Sequence, residues 1–163
     1  MKKMVLAVVF IFFVLANCFS MGKKQSSDNP EFQYNLGQRY FNEENYPQAV
    51  YWWEKAAEQE YAEAQYSLGV CYQQGLGVKH DYIQAVYWFR KAAEQGHIES
   101  HNNLGIYYAQ RQDYEQAVYW WEKAAKQGHS DSQYNLGVCY DQGLGVPQDY
   151  EQAEYWYRKA AEH

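Results

Sequence analysis

Threonine is absent from this 163-residue chain, and cysteine and proline occur three times each. Without threonine there is no Lys-Thr-Gly element of the kind that completes a penicillin-type serine site. Among only seven serines, no Ser/His/Asp grouping stands out. Cations are short as well, 14 against 20 acids, for a net charge of −6. A surface of that sign repels a phosphate backbone, which argues against a nucleic-acid partner. Long apolar runs are also missing. The longest, Met4 to Ala16, has thirteen residues, and a helix needs roughly 20 to span a bilayer.

That short run follows Met1-Lys2-Lys3 and precedes small Cys18 and Ser20. A basic start, a short apolar stretch and small residues describe a secretory signal peptide, residues 1–20, cut after Ser20. Two alternatives stand beside it: acylation at Cys18 within "LANC", or retention of the leader as an anchor. Removal takes away Lys2 and Lys3 and no acid, so −6 becomes −8. Residues 21–28, "MGKKQSSD", read as a polar, flexible tether. The mature protein is expected to be exported, periplasmic or secreted, with no membrane span once the leader is gone.

What the chain has in plenty is aromatic: 18 Tyr and six Trp, all after the leader. They recur in "YWWEKAAEQ", "YWFRKAAEQ", "YWWEKAAKQ" and "YWYRKAAEH". The Leu-Gly pairs begin at Leu36, Leu68, Leu104 and Leu136, spaced 32, 36 and 32. A period in the thirties marks stacked helical pairs. The units are residues 29–60, 61–96, 97–128 and 129–163, together one repeat domain over 29–163. Units two and four share a Gly-Leu-Gly-Val insert that units one and three lack.

Each unit reads as two helices. The second opens at Asn45, Asp81, Asp113 or Asp149, with Gln48, Gln84, Gln116 or Gln152 three residues on. That spacing predicts a reciprocal capping box. Pro47 falls in a first turn, where proline is tolerated, and Gly96 and Gly128 stand at helix ends. At about 100° per residue, Ala49, Trp52, Trp53, Ala56 and Ala57 share one face and Tyr51 the other. In unit two, Ala64, Leu68, Cys71 and Tyr72 form the buried stripe, and Gly69 is expected to allow close backbone contact. Cys71 and Cys139 hold equivalent places, so a bridge between them would skip a repeat and exceed disulfide reach. Both read as small buried apolar side chains. Val50, Val86 and Val118 lie where a following repeat docks, and the matching Glu154 reads as a polar terminal cap.

The pattern Ala-x-x-x-Leu-Gly-x-x-Tyr, Gly-x-Gly-Val-x-x-Asp, Ala-x-x-Trp-x-x-Lys-Ala-Ala-x-x-Gly resembles the Sel-1-like repeat, a relative of the tetratricopeptide repeat. Unit two matches it throughout, from Ala64 to Gly96, and unit four departs first at Ser132. The resemblance covers residues 29–163. It implies an all-α fold, a right-handed α/α solenoid of four helix-turn-helix repeats. It also implies adaptor or scaffold work, which in exported bacterial members touches host contact or envelope processes.

Some cysteine-rich members of that family carry a β-lactamase label, so its parts matter. Ser20-Met-Gly-Lys23 and Ser27-Asp-Asn29 match two of them, but they fall in the leader junction and tether. "HIESH" sets His97 and His101 four apart, a metal-like spacing. Their slots hold Tyr61 and His129, and Gln65 and Gln133, in other repeats, which suggests surface positions. No metal site, cofactor or catalytic residue is expected. Gly75-Leu-Gly77 and Gly143-Leu-Gly145 read as turns rather than phosphate cradles.

What remains is surface. The first helices present Tyr34, Tyr66, Asn102 and Tyr134, then Val70, Ile106 and Val138 a turn later. In solenoids the first helices line the concave side, so these seven form the candidate groove for a protein or peptide. Packing of Val70, Ile106 and Val138 against adjacent helices is the alternative. Tyr51, Tyr87, Tyr119 and Tyr155 form an outward ladder, a second candidate surface. The expectation is a monomeric, non-catalytic binding scaffold; a cell-envelope enzyme or its accessory, β-lactamase-like or acting on peptidoglycan, is the competing reading.

Overall fold

The computed structural model describes residues 27–162. The leader, its cleavage or acylation, and all of the tether before Ser27 lie outside the described residues. Eight helices follow in order: α1 (Pro30–Asn42), α2 (Tyr46–Glu58), α3 (Ala62–Gln74), α4 (Tyr82–Glu94), α5 (Ile98–Gln110), α6 (Tyr114–Ala125), α7 (Ser130–Gln142) and α8 (Tyr150–Ala161). Among the described residues there is no strand. Helices pair as four hairpins, and each hairpin packs on the next to give an all-α solenoid.

The second helices start where the Asx residues stand. Asp81 accepts from the backbone N–H of Ile83 and Gln84, Asp149 from those of Glu151 and Gln152, and Asp113 from that of Gln116. Asn45 makes no such bond. The reciprocal half of the expected capping box is replaced. The N–H of Asp81 already bonds the Tyr72 carbonyl, that of Asp113 the Tyr108 carbonyl, and that of Asp149 the Tyr140 carbonyl. With that donor satisfied by the preceding helix, the glutamines stay at the surface. Chain reversal needs a left-handed residue. Repeats two and four use Gly75 and Gly143 (φ 74° and 69°), whereas the shorter repeats force Glu44 and Gln112 to φ 58° and 62°.

The buried clusters span the joints between repeats. Ala49, Val50, Trp53, Ala56 and Ala57 of repeat one close on Ala64, Leu68 and Cys71 of repeat two. Ala85, Phe89 and Ala93 close on Leu104. Ala117, Val118, Trp121 and Ala125 close on Leu136 and Cys139. Trp88, Trp120 and Trp156 reach back to pack against the cluster of the repeat before. No hairpin covers its own apolar surface, so stability comes from neighbours. Both thiols are free and buried.

The Leu-Gly glycines serve a different contact from the backbone approach expected of Gly69. A Cβ on Gly69 would stand 2.5 Å from the Phe89 ring, and one on Gly37 2.5 Å from the Trp53 indole. Each glycine makes room for an aromatic ring of its own repeat. Tyr51, Tyr87, Tyr119 and Tyr155 point outward as expected, each edge-on to the following Trp. Lys55 and Lys123 lie over two of those rings. Glu154 is exposed and pairs with Arg158.

Candidate functional site

Consecutive first helices are tied to one another by the side chains proposed for the groove. Tyr34 on α1 meets Tyr61, the residue before α3, with ring centroids 5.3 Å apart. Tyr66 on α3 stacks on His97, the residue before α5, at 4.6 Å. At the third joint Ser132 on α7 donates to the Asn102 carbonyl oxygen at 3.0 Å. These links draw the first helices together along one side of the ribbon.

Three of the seven residues share one cavity. Tyr34, Tyr66 and Val70 line a space of about 280 Å³ with Gln38, Phe41, Trp53 and Ser67. The Trp53 indole N–H forms its inner wall and donates to the Tyr34 carbonyl at 3.2 Å. Burial raises both phenols above their ordinary pKa, with Glu63 adding to the effect on Tyr34 and Glu99 on Tyr66. Both phenols therefore stay neutral hydrogen-bonding groups at neutral pH.

The other four lie apart. Asn102 is 8% exposed and committed to Ser132. Ile106 packs against the Ala117/Val118/Trp121 cluster and lines a narrow hollow beside Phe89. Val138 is half-buried. Tyr134 is 57% exposed, meets Tyr157 at 5.6 Å, and borders a separate cavity of about 630 Å³ with Ala160 and Ala161. Val70 also touches the Ala85/Phe89 cluster, so packing and groove lining are both true of it.

Phe41 and Trp53 escaped the sequence reading of the groove. Phe41 breaks the repeat, since Gln73, Ala109 and Asp141 hold its slot. That departure was the available signal.

His97 and His101 are not the surface residues that their slots suggested. His101 is 4% exposed, stacks on Trp120 at 5.8 Å and faces the Ala93 backbone. Gln65 donates to the Ala57 carbonyl at 3.2 Å and Gln133 to the Ala125 carbonyl at 3.1 Å in the same slot. The slot is a contact from one repeat onto the last turn of the repeat before, which both Gln and His can make. His97 accepts from the Ser100 N–H at 3.3 Å as a helix cap and lies 3.6 Å from Glu99. Burial lowers the pKa of both histidines. Among the described residues, no three His, Cys, Asp or Glu side chains gather as a metal site would need.

A family model described as Sel1 repeat matches residues 30–61, 62–97, 98–129 and 130–163. A protective antigen of uropathogenic Escherichia coli strains, displaying an SLR fold, is 40% identical with a TM-score of 0.82. The match covers 88% of this chain and 32% of the antigen. A Sel1 repeat protein from Oxalobacter formigenes is 34% identical with a TM-score of 0.77, over 83% of this chain and 59% of that one. This chain thus spans about a third and about three fifths of those two proteins. MamA shares the fold at a TM-score of 0.60, with 21% identity over 88% of this chain and 83% of its own. No curated protein matches the chain significantly.

Proposed function

Since the chain belongs to the Sel1 repeat family, we propose that it is a non-catalytic scaffold that holds an extended protein or peptide along its first helices. Repeat solenoids of this type commonly bind proteins, and function must still be argued from the site. The observation that carries the reading is the cavity walled by Tyr34, Tyr66 and Val70. Two rigid amphipathic rings beside an aliphatic wall suit an apolar side chain flanked by peptide hydrogen-bonding groups.

We place the protein outside the cytoplasm, on the strength of the leader-like residues 1–20. That a relative is a protective antigen supports that placement. Among the described residues, no helix is long and apolar enough to cross a membrane. The protein is proposed to act as a monomer, without nucleic acid, on host-contact or envelope partners.

Capture of partners by the full chain tests the groove. Loss of capture in Tyr66→Ala and in Val70→Asp, with capture retained in outward-facing Tyr87→Ala, is the expected result. Equal capture by all of them would remove the groove. Turnover of β-lactams or muropeptides, lost on changing one groove residue, would instead favour an enzyme. Mass spectrometry of the mature N-terminus decides the fate of residues 1–20.

A further inference from the structure

Charge is divided between the two helical layers. Helices α3, α5 and α7 contain no Lys or Arg, and α1 contains only Arg39, which is taken by Glu43 at 3.1 Å. The second helices carry Lys55, Arg90, Lys91, Lys123, Arg158 and Lys159. Acids stand on both layers, and each first helix carries one in its first turn, Glu31, Glu63, Glu99 and Asp131.

Helix dipoles explain those acids but not the missing cations. A helix C-terminus favours Lys or Arg, yet the last turns of α3, α5 and α7 have none, and α7 places Asp141 there. All three second helices that precede another repeat do carry Lys in that position, at Lys55, Lys91 and Lys123. Around α5 the cations come from outside the helix, Arg111 at its C-cap over Tyr107 and Arg90 over Tyr108, whereas the last turn of α3, beside the cavity, has none.

Glu63 stands one helical turn before the cavity residues Tyr66 and Ser67 on α3, and Glu99 lies 3.6 Å from His97, which stacks on Tyr66. Glu63 acts on the Tyr34 and Tyr61 phenols, and Glu99 on Tyr66. Glu63 and Glu99 are both exposed. A space of about 280 Å³ thus has an exposed carboxylate near each of its two tyrosines, that of Glu99 also within 3.6 Å of His97. Electrostatic complementarity selects the partner that brings the opposite sign, and a Lys or Arg stem can pack along a tyrosine ring while its head reaches a carboxylate.

Resting on the groove reading above, we propose that the occupant is a cationic extended segment in which Lys or Arg stands two residues to either side of an apolar residue. An apolar side chain enters between Tyr34, Tyr66 and Val70, and its flanking cations meet Glu63 and Glu99. In an extended peptide residues two apart share a face, so the cations two positions on either side of the inserted apolar residue face the same surface of the protein.

Calorimetry with the full chain and three short synthetic peptides tests this, each alternating two residues at every second position with Ser between them: Lys-Leu, Gln-Leu and Glu-Leu. The Lys-Leu peptide is expected to bind, weakening as salt rises, with the Gln-Leu peptide at least about fivefold weaker and the Glu-Leu peptide silent. Glu63→Gln with Glu99→Gln should weaken Lys-Leu binding about fivefold. The outer-layer pair Glu58→Gln with Glu94→Gln should leave it within about twofold. Equal binding of Gln-Leu and Lys-Leu, abolished by Val70→Asp, would overturn the cationic partner while keeping the groove. Lys-Leu binding lost equally in the outer-layer pair, or no Lys-Leu binding at all, also overturns it. Lys-Leu binding indifferent to Val70→Asp would take the groove reading down as well.

Discussion

Gly105 on α5 lies so close to the Trp121 indole that a methyl at its Cα would stand 2.4 Å from the ring. The same fit recurs between Gly137 and Tyr157 at 2.5 Å. A ring and a helix backbone in contact at every repeat fix how α5 leans on α6, and hence how each hairpin is closed.

Replacing Gly105 with Ala should therefore destabilise the fold. Overpacking costs about 1–3 kcal/mol, offset by about 1 kcal/mol of helix propensity. Urea unfolding followed by tryptophan fluorescence should show a net loss of up to about 2 kcal/mol. A gain in stability would mean the indole can swing away.

The joint between repeats two and three rests on Leu104, fully buried against Ala85, Phe89 and Ala93. Leu104→Ala should cost about 2–5 kcal/mol. Hydrogen exchange should show α4 and α5 opening before the outer joints, because Tyr107 takes the slot that Cys71 and Cys139 fill in the flanking cores. Uniform exchange along the ribbon would contradict a distinct middle joint.

Acid should loosen that same joint. Burial lowers the pKa of His101, and Lys123 and His97 push the same way; burial lowers His97 too, with Glu99 and Glu63 opposing. The unfolded chain then binds protons at a pH where the native one does not, so the histidine contribution is intact above about pH 6.5 and is lost below it. The melting temperature should fall between about pH 7 and pH 5. His101→Gln, the residue of the sister slots, should flatten that fall, and an unchanged slope would exclude His101 as its source.

The half-formed capping boxes make an asymmetric prediction. Asp81→Ala removes a side chain that accepts from two backbone donors and should cost about 1 kcal/mol. Gln84→Ala should change stability by less than about 0.5 kcal/mol, since the Tyr72 carbonyl already takes the Asp81 N–H. Denaturation midpoints of the pair decide it, and equal losses would restore the reciprocal box.

Cys71 and Cys139 should be chemically silent. Burial pushes their thiols up to about 12 and about 11, and the thiolate is the reactive species. A thiol reagent should label them only under denaturing conditions. Rapid labelling of the native protein would place them at an open joint.

By itself the sequence determined the four helical hairpins and their main buried faces, because repeat period and helical period are local and every hairpin obeys both. Ala49, Leu68, Cys71 and Trp53 were legible as core for that reason. Tertiary structure decided what the remaining half-apolar positions do. Whether Asn102 faces a ligand or Ser132, whether His101 lies on the surface or faces Ala93, and whether Gln84 caps its helix all depend on an atom brought in by another helix. The groove divided on the same terms: Tyr34 and Tyr66 gained a shared hollow because Phe41 and Trp53 wall it, and one repeat's spacing carries no record of what its neighbour places opposite.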